Sequence, residues 1–156
     1  MSTVKFTEMK NGLKEDYLLL DKYEQELIGG VVFRPFHDPN QWDFVLDGAV
    51  RTCKSLVAHS AEHLVLIDSI SPRRASTAGR SDEAEQMSPA EWKAFKDRIG
   101  MIAKIGTEEY GLTVGIHAHA AGFIDFEPEI ERLLDEIDEN YLKICFDTGH
   151  HSYAGF

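Results

Sequence analysis

A change of hydrophobic period that repeats along this chain limits its folds more than any other feature. Short apolar runs bounded by Gly, Pro or polar residues alternate with stretches whose apolar residues recur every three or four positions. Residues 27–36 (LIGGVVFRPF) open the series, an apolar run led by a Gly-Gly pair and read as a strand buried on both faces. A helix is expected over 43–61, with Leu46, Ala49, Val50, Cys53, Leu56 and Val57 on one stripe. Residues 63–70 (HLVLIDSI) form the second strand, followed by a polar loop rich in Arg and small residues, SPRRASTAGRSDEAEQM. Ser88-Pro89-Ala90-Glu91 has capping-box spacing with Pro at the first helical position, and Trp92, Phe95, Ile99, Ile102 and Ala103 supply the next stripe. Gly111 stops that helix before a third strand, 112–119 (LTVGIHAH). Pro128 starts another helix, with Ile130, Leu133, Leu134 and Ile137 on its stripe, and 142–146 (LKICF) is the fourth strand.

Strands separated by helices in this way form a parallel α/β sheet with right-handed crossovers. A doubly wound sheet and a closed barrel share the pattern, so period alone leaves both open. One domain is expected over 1–156, with residues 1–20 as an N-terminal extension or helix.

Charge narrows the partners. Against 16 Lys and Arg stand 27 Asp and Glu, a net charge of −11. Such a surface repels nucleic-acid phosphates and anionic membranes and favours a neutral small molecule or a bound cation. No apolar run approaches the ~20 residues of a membrane span, and the first residues carry acidic groups where a secretory signal needs an apolar stretch. Cys53 and Cys145 lie inside apolar runs, which suits free thiols in a reducing compartment. A cytoplasmic location is expected.

The histidines carry the chemistry. Five of the seven, His37, His117, His119, His150 and His151, fall at or just beyond the carboxyl ends of expected strands. That edge binds ligands in both parallel architectures. His117 and His119 share a strand face through the two-residue alternation. Asp147 ends the fourth strand beside them, although an Asp before Thr-Gly-His also suits a helix or turn cap. Imidazole and carboxylate together form the donor set of a divalent transition metal. Arg73, Arg74 and Arg80 occupy a loop leaving the same rim, as substrate-binding groups or solvated loop charges. His59 and His63 flank a helix–strand turn and are read as structural. No G-x-S-x-G occurs, and Gly29-Gly30 lacks the spacing of a phosphate cradle.

With these residues in place, GLTVGIHAHAAGFIDFEPEIERLLDEID followed by YLKICFDTGHHSYAGF resembles the xylose-isomerase-like sugar phosphate isomerase/epimerase superfamily, near its inosose-dehydratase-like members. The resemblance rests on His117-Ala118-His119, Glu129 to Leu134, Asp147-Thr148-Gly149-His150 and Gly155, and extends from about Asp21 to the last residue. It implies a (β/α)₈ barrel of which this chain holds four βα units, the third to sixth strands. It also implies one divalent metal ion (Mn, Co, Zn or Mg) and a metal-dependent isomerase, epimerase or dehydratase acting on a sugar, a sugar phosphate or an inosose-type polyol ketone. On that resemblance Asp147 and His117 are metal ligands, and His119 and His150 are catalytic. His37, Arg73, Arg80 and His151 would bind substrate. Many relatives carry a metal-binding Glu where this chain has the histidine pair, so the first ligand is open among His117, His119, Asp125 and Glu127.

The relatives' remaining ligands come from later strands, which makes this chain a partial barrel and a poor catalyst alone. It is expected to pair with itself or with a complementing half, because a half-barrel exposes its inner face, with Val32, Leu66, Val114 and Ile144 as candidates. A non-catalytic half-barrel that binds sugar is the rival. A DNA-repair endonuclease is a third reading, disfavoured by the acidic balance.

Overall fold

The computed structural model describes Leu20 and residues 22–155. The extension expected over 1–20, Leu20 apart, lies outside the described residues, as do Asp21 and Phe156. In chain order the elements are β1 (Gly29–Arg34), α1 (Trp42–Ala58), β2 (His63–Asp68), α2 (Pro89–Glu108), β3 (Thr113–Ile116), α3 (Glu127–Glu136), β4 (Lys143–Ile144) and α4 (Thr148–Ala154). Single 3₁₀ turns at Pro39–Gln41 and Ala75–Thr77 punctuate the loops.

The α2 and α4 helices begin where a capping side chain satisfies free amides. At α2 the Ser88 hydroxyl accepts from the Glu91 amide at 3.3 Å, and the Glu91 carboxylate accepts from the Ser88 amide at 2.8 Å. This closes the expected capping box. Pro89 sits at the first helical position, where its missing N–H costs nothing. All five residues of the expected α2 stripe are buried. The α1 stripe is rotated from expectation: Val45, Ala49, Cys53 and Leu56 face the core, whereas Val57 is 49% exposed.

The sheet is parallel throughout, in the order β1-β2-β3-β4. A doubly wound sheet reverses its strand order at a switch point, whereas a barrel adds each strand beside the last. The consecutive order, with α1 and α2 packed on each other over the same face, is that of a barrel segment.

Register assigns the two faces. Val32 pairs with Leu66, Leu66 with Ile116 and Ile116 with Ile144, and Leu64 pairs with Val114. This row joins the α1 and α2 stripes in one apolar cluster, with Leu64 and Leu66 at 0% exposure. The face that would line a barrel is the other one. Val31, Val65, Gly115 and Lys143 pair across it in sequence, and Phe33 lies beside Ile67. The inner-face expectation is thereby corrected: Val32, Leu66 and Val114 belong to the helix-facing core. Ile144 shares their row and is 43% exposed at the sheet edge. The two-residue alternation makes one register step decisive.

Candidate functional site

The carboxyl ends of the strands come together in one rim, as the histidine positions require. β3 ends at Ile116, but the His117 amide still donates to the Leu66 carbonyl at 3.0 Å and carries the ladder one residue further. His117 and His119 follow in irregular backbone, with the His119 amide bonded to the Ile124 carbonyl at 2.9 Å. Asp147 is the N-cap of α4 and accepts the His150 amide at 2.9 Å. Its capping role and its place at the rim therefore coexist. The cap turns His150 back over β3.

Three imidazoles meet there. Ring centres are 5.2 Å apart for His117 and His150, 4.3 Å for His119 and His150, and 6.2 Å for His117 and His119. Phe33, on the barrel-lining face of β1, meets the His119 ring at 5.1 Å. Burial pushes the His117 and His150 imidazoles below their ordinary range. For His150 the neighbouring His119 acts in the same direction, while for both rings the Asp147 charge acts against it. Both rings are thus neutral near pH 7, with lone pairs available. The His150 amide beside Asp147 holds that carboxyl below the usual carboxylate range, and the His117 imidazole adds to the effect. The site offers an ionised carboxylate beside the uncharged His117 and His150 imidazoles, a combination suited to a cation.

Two imidazoles sharing an ion at about 2.1 Å would hold their ring centres roughly 4.5–5.5 Å apart. The His117–His150 spacing lies inside that range, the His119–His150 spacing just below it, and the His117–His119 spacing beyond it. Among the described residues no three His, Cys, Asp or Glu side chains form a ready cage. The donor types fit a divalent ion, and the donors present amount to part of a coordination shell.

The other expected site residues make their contacts outside the three-imidazole cluster. His37 Nδ1 is 2.8 Å from Asp68 Oδ1, and Asp68 is only 2% exposed and shares the helix-facing parity of Leu66. Arg73 is engaged by Glu85 and Glu91, and Arg80 by Glu83 and the Ser76 carbonyl. His151 is buried, with Nδ1 at 2.7 Å from the Asp147 carbonyl and its ring against Phe146. None of the four joins the three-imidazole cluster through a ring contact. Glu127 is exposed at the start of α3. Asp125 is 2% exposed; its Oδ2 accepts the Ala121 amide at 3.0 Å and its Oδ1 has no hydrogen-bond partner. Burial raises its pKa.

Sequence reasoning did not anticipate the framework behind the rim. Arg74, 1% exposed, makes a two-pronged contact with Glu129 at 2.7 and 3.3 Å. Its guanidinium lies 5.2 and 5.0 Å from the Phe123 and Phe126 rings. Glu129 Oε2 accepts the Asp125 and Phe126 amides, pinning the loop after β3 to the start of α3. The Ser71 amide bonds to the carbonyl of Ala121, whose φ is +67°. A Cβ on Gly122 would sit 3.0 Å from the Asp68 carbonyl, so only glycine fits that turn without displacement. The signal for Asp68 was visible, since it ends β2 as Asp147 follows β4; nothing local marks Arg74 as buried.

A family model described as xylose isomerase-like TIM barrel matches residues 23–156. Inosose dehydratase from Geobacillus kaustophilus (strain HTA426) is 31% identical over 85 residues, covering 54% of this chain and 26% of the relative. Inosose dehydratase from Salmonella agona (strain SL483) is 24% identical over 136 residues, covering 80% and 45%. The chain thus spans less than half the length of these curated relatives. Among solved structures, the IOLI protein with a binding zinc atom superposes with a TM-score of 0.69 at 10% identity, covering 94% of this chain and 50% of that one. A xylose isomerase-like TIM barrel protein from Mycobacterium smegmatis in complex with magnesium gives 0.68 at 12% identity, covering 88% and 46%. At such identities the structures speak for the fold.

Proposed function

This chain belongs to the xylose isomerase-like TIM barrel family, and we propose that it supplies the part of a barrel rim that binds a divalent metal ion and a polyhydroxylated carbonyl compound. The reaction class is isomerisation, epimerisation or dehydration of a sugar or inosose-type ketone. One observation carries this reading: His117, His119 and His150 gather with Asp147 at the carboxyl ends of parallel strands, two of the rings held neutral by burial.

In the proposal Asp147 and His117 hold the ion, and His119 and His150 face the reacting carbon and its oxygens. A divalent ion supplies Lewis-acid polarisation of a hydroxyl and a carbonyl. The chain's own residues do the rest. Asp147 fixes α4 and so the approach of His150, and the Arg74–Glu129 pair fixes the loop that carries His119. A neutral imidazole near a carbon adjacent to a carbonyl can hold the proton that isomerisation, epimerisation and dehydration all move. His37, Arg73, Arg80 and His151 have internal partners and brace the loops in this scheme. The activity for which these relatives are named, inosose dehydration, makes a ketone with neighbouring hydroxyls the first substrate to test.

A non-catalytic half-barrel is the second reading, favoured by the lack of a three-donor cage among the described residues. Calorimetric titration with Mn²⁺ or Zn²⁺ tests the first. Asp147→Asn keeps the size and removes the charge, and is expected to weaken binding at least tenfold. Equal affinity in the two proteins refutes the assignment of Asp147. An inosose dehydration assay of the metal-supplemented chain separates catalysis from binding.

A further inference from the structure

One residue, Ala120, touches two of the three rim imidazoles through its backbone, its amide as a donor and its carbonyl as an acceptor. The Ala120 carbonyl lies 2.9 Å from His119 Nδ1. A carbonyl oxygen can only accept, so His119 must carry its proton on Nδ1. The Ala120 amide donates to His150 Nδ1 at 3.3 Å. An amide N–H can only donate, so His150 Nδ1 must carry a lone pair and the ring proton sits on Nε2. We infer that the Ala120 backbone holds His119 and His150 in opposite tautomers, so that the pair presents one Nε2 acceptor and one Nε2–H donor to a ligand bearing adjacent hydroxyl and carbonyl groups.

The inference deepens the reading above and rests on it for the identity of the ligand. A hydroxyl next to a carbonyl is itself a donor beside an acceptor, and the two rings stand 4.3 Å apart. His119 Nε2 takes the hydroxyl proton in a hydrogen bond. His150 Nε2–H gives a hydrogen bond to the carbonyl oxygen without releasing its proton, since a neutral imidazole donor polarises a carbonyl while staying whole. A second donor in place of His119 would leave the hydroxyl proton unmatched, and a mismatched buried polar pair is expensive. The Ala120 backbone is the positioning group.

The Ala120 backbone is well placed to impose this. Ala121, next along, has its amide on Asp125 and its carbonyl on the Ser71 amide, and the Gly122 amide returns to the His119 carbonyl at 3.0 Å. The Ala121 amide shares a peptide with the Ala120 carbonyl and the His119 carbonyl shares one with the Ala120 amide, so both peptide planes flanking Ala120 are fixed.

Tautomer-resolved ¹⁵N NMR of the metal-free chain at pH 8, with histidine labelled, reads the assignment directly. The expected spectrum has His119 protonated on Nδ1, the form that free histidine disfavours, and His150 protonated on Nε2. The two Nε2 resonances should be widely separated, His119 at the unprotonated position. Matching tautomers, or an Nδ1–H on His150, would overturn the inference. Ala120→Pro removes the amide proton but keeps the carbonyl; His150 should then drift towards a mixture of tautomers while His119 stays on Nδ1–H. If that variant does not fold, the unsubstituted chain still decides the matter. Opposite tautomers without metal or ketone binding would uphold this pair and sink the proposed function; metal binding with matching tautomers would do the reverse.

Discussion

Arg74→Met removes a guanidinium that is 1% exposed and leaves the Glu129 carboxylate, itself 9% exposed in its side chain, without its cation. Breaking a buried pair from one side costs about 3–5 kcal/mol. Two features place the loss near the lower figure. Glu129 keeps the Asp125 and Phe126 amides as donors, and the Met thioether still packs on Phe123 and Phe126. A loss of about 3 kcal/mol divided by a urea dependence of roughly 2 kcal/mol/M lowers the midpoint by roughly 1.5 M. Set against a domain stability of about 5–15 kcal/mol, this is severe without being fatal. The double variant Arg74→Met, Glu129→Gln removes the stranded charge while keeping an acceptor for both amides, and should recover roughly half the loss. The assay is urea unfolding followed by circular dichroism. A midpoint shift below roughly 0.5 M for the single variant, equivalent to about 1 kcal/mol, would refute the clamp. So would a double variant no better than the single one.

Gly106 on α2 packs so closely that a Cβ would lie 2.7 Å from Val114 Cγ2. Gly106→Ala gains about 1 kcal/mol of helix propensity but overpacks a stiff side chain at about 1–3 kcal/mol; thermal unfolding should show a net loss. Because burial holds His117 and His150 below 6.5, both stay neutral down past that pH. Calorimetric affinity for Mn²⁺ should therefore hold from pH 8 to 6.5 and fall only below it, as protons take the lone pairs; a midpoint above 6.5 would contradict the burial argument. With Ile144 43% and Phe146 63% exposed beside the β4 edge, the chain should self-associate at micromolar concentration in sedimentation velocity, and a single monomeric boundary would count against it.

The α2 stripe was legible because one long, capped helix packs one face on one sheet, so its period survives intact. The α1 stripe was harder to read, since Gly48 and Ser55 are buried although neither signals a core. The inner face was misread for a more basic reason. A strand apolar on both sides contains no mark of which parity faces the helices; that depends on pairing between distant segments. The histidine rim was legible because chemistry at strand ends depends on position along the chain, not on parity. Arg74 was not, because burial of a loop cation requires Glu129, 55 residues later, and a loop that folds back to meet it.

The apolar cluster lies between sheet and helices, and Phe33, His117 and His119 stand on the opposite face, half-buried. What holds this structure together and what lines the candidate site are therefore different residues on different sides of the same strands. Substitutions at Phe33, His117 and His119 leave the helix-facing layer untouched, and partly exposed sites lose little when changed. Such a surface can change its chemistry at small thermodynamic risk. Adjacent residues on one strand are thus free to evolve at very different rates.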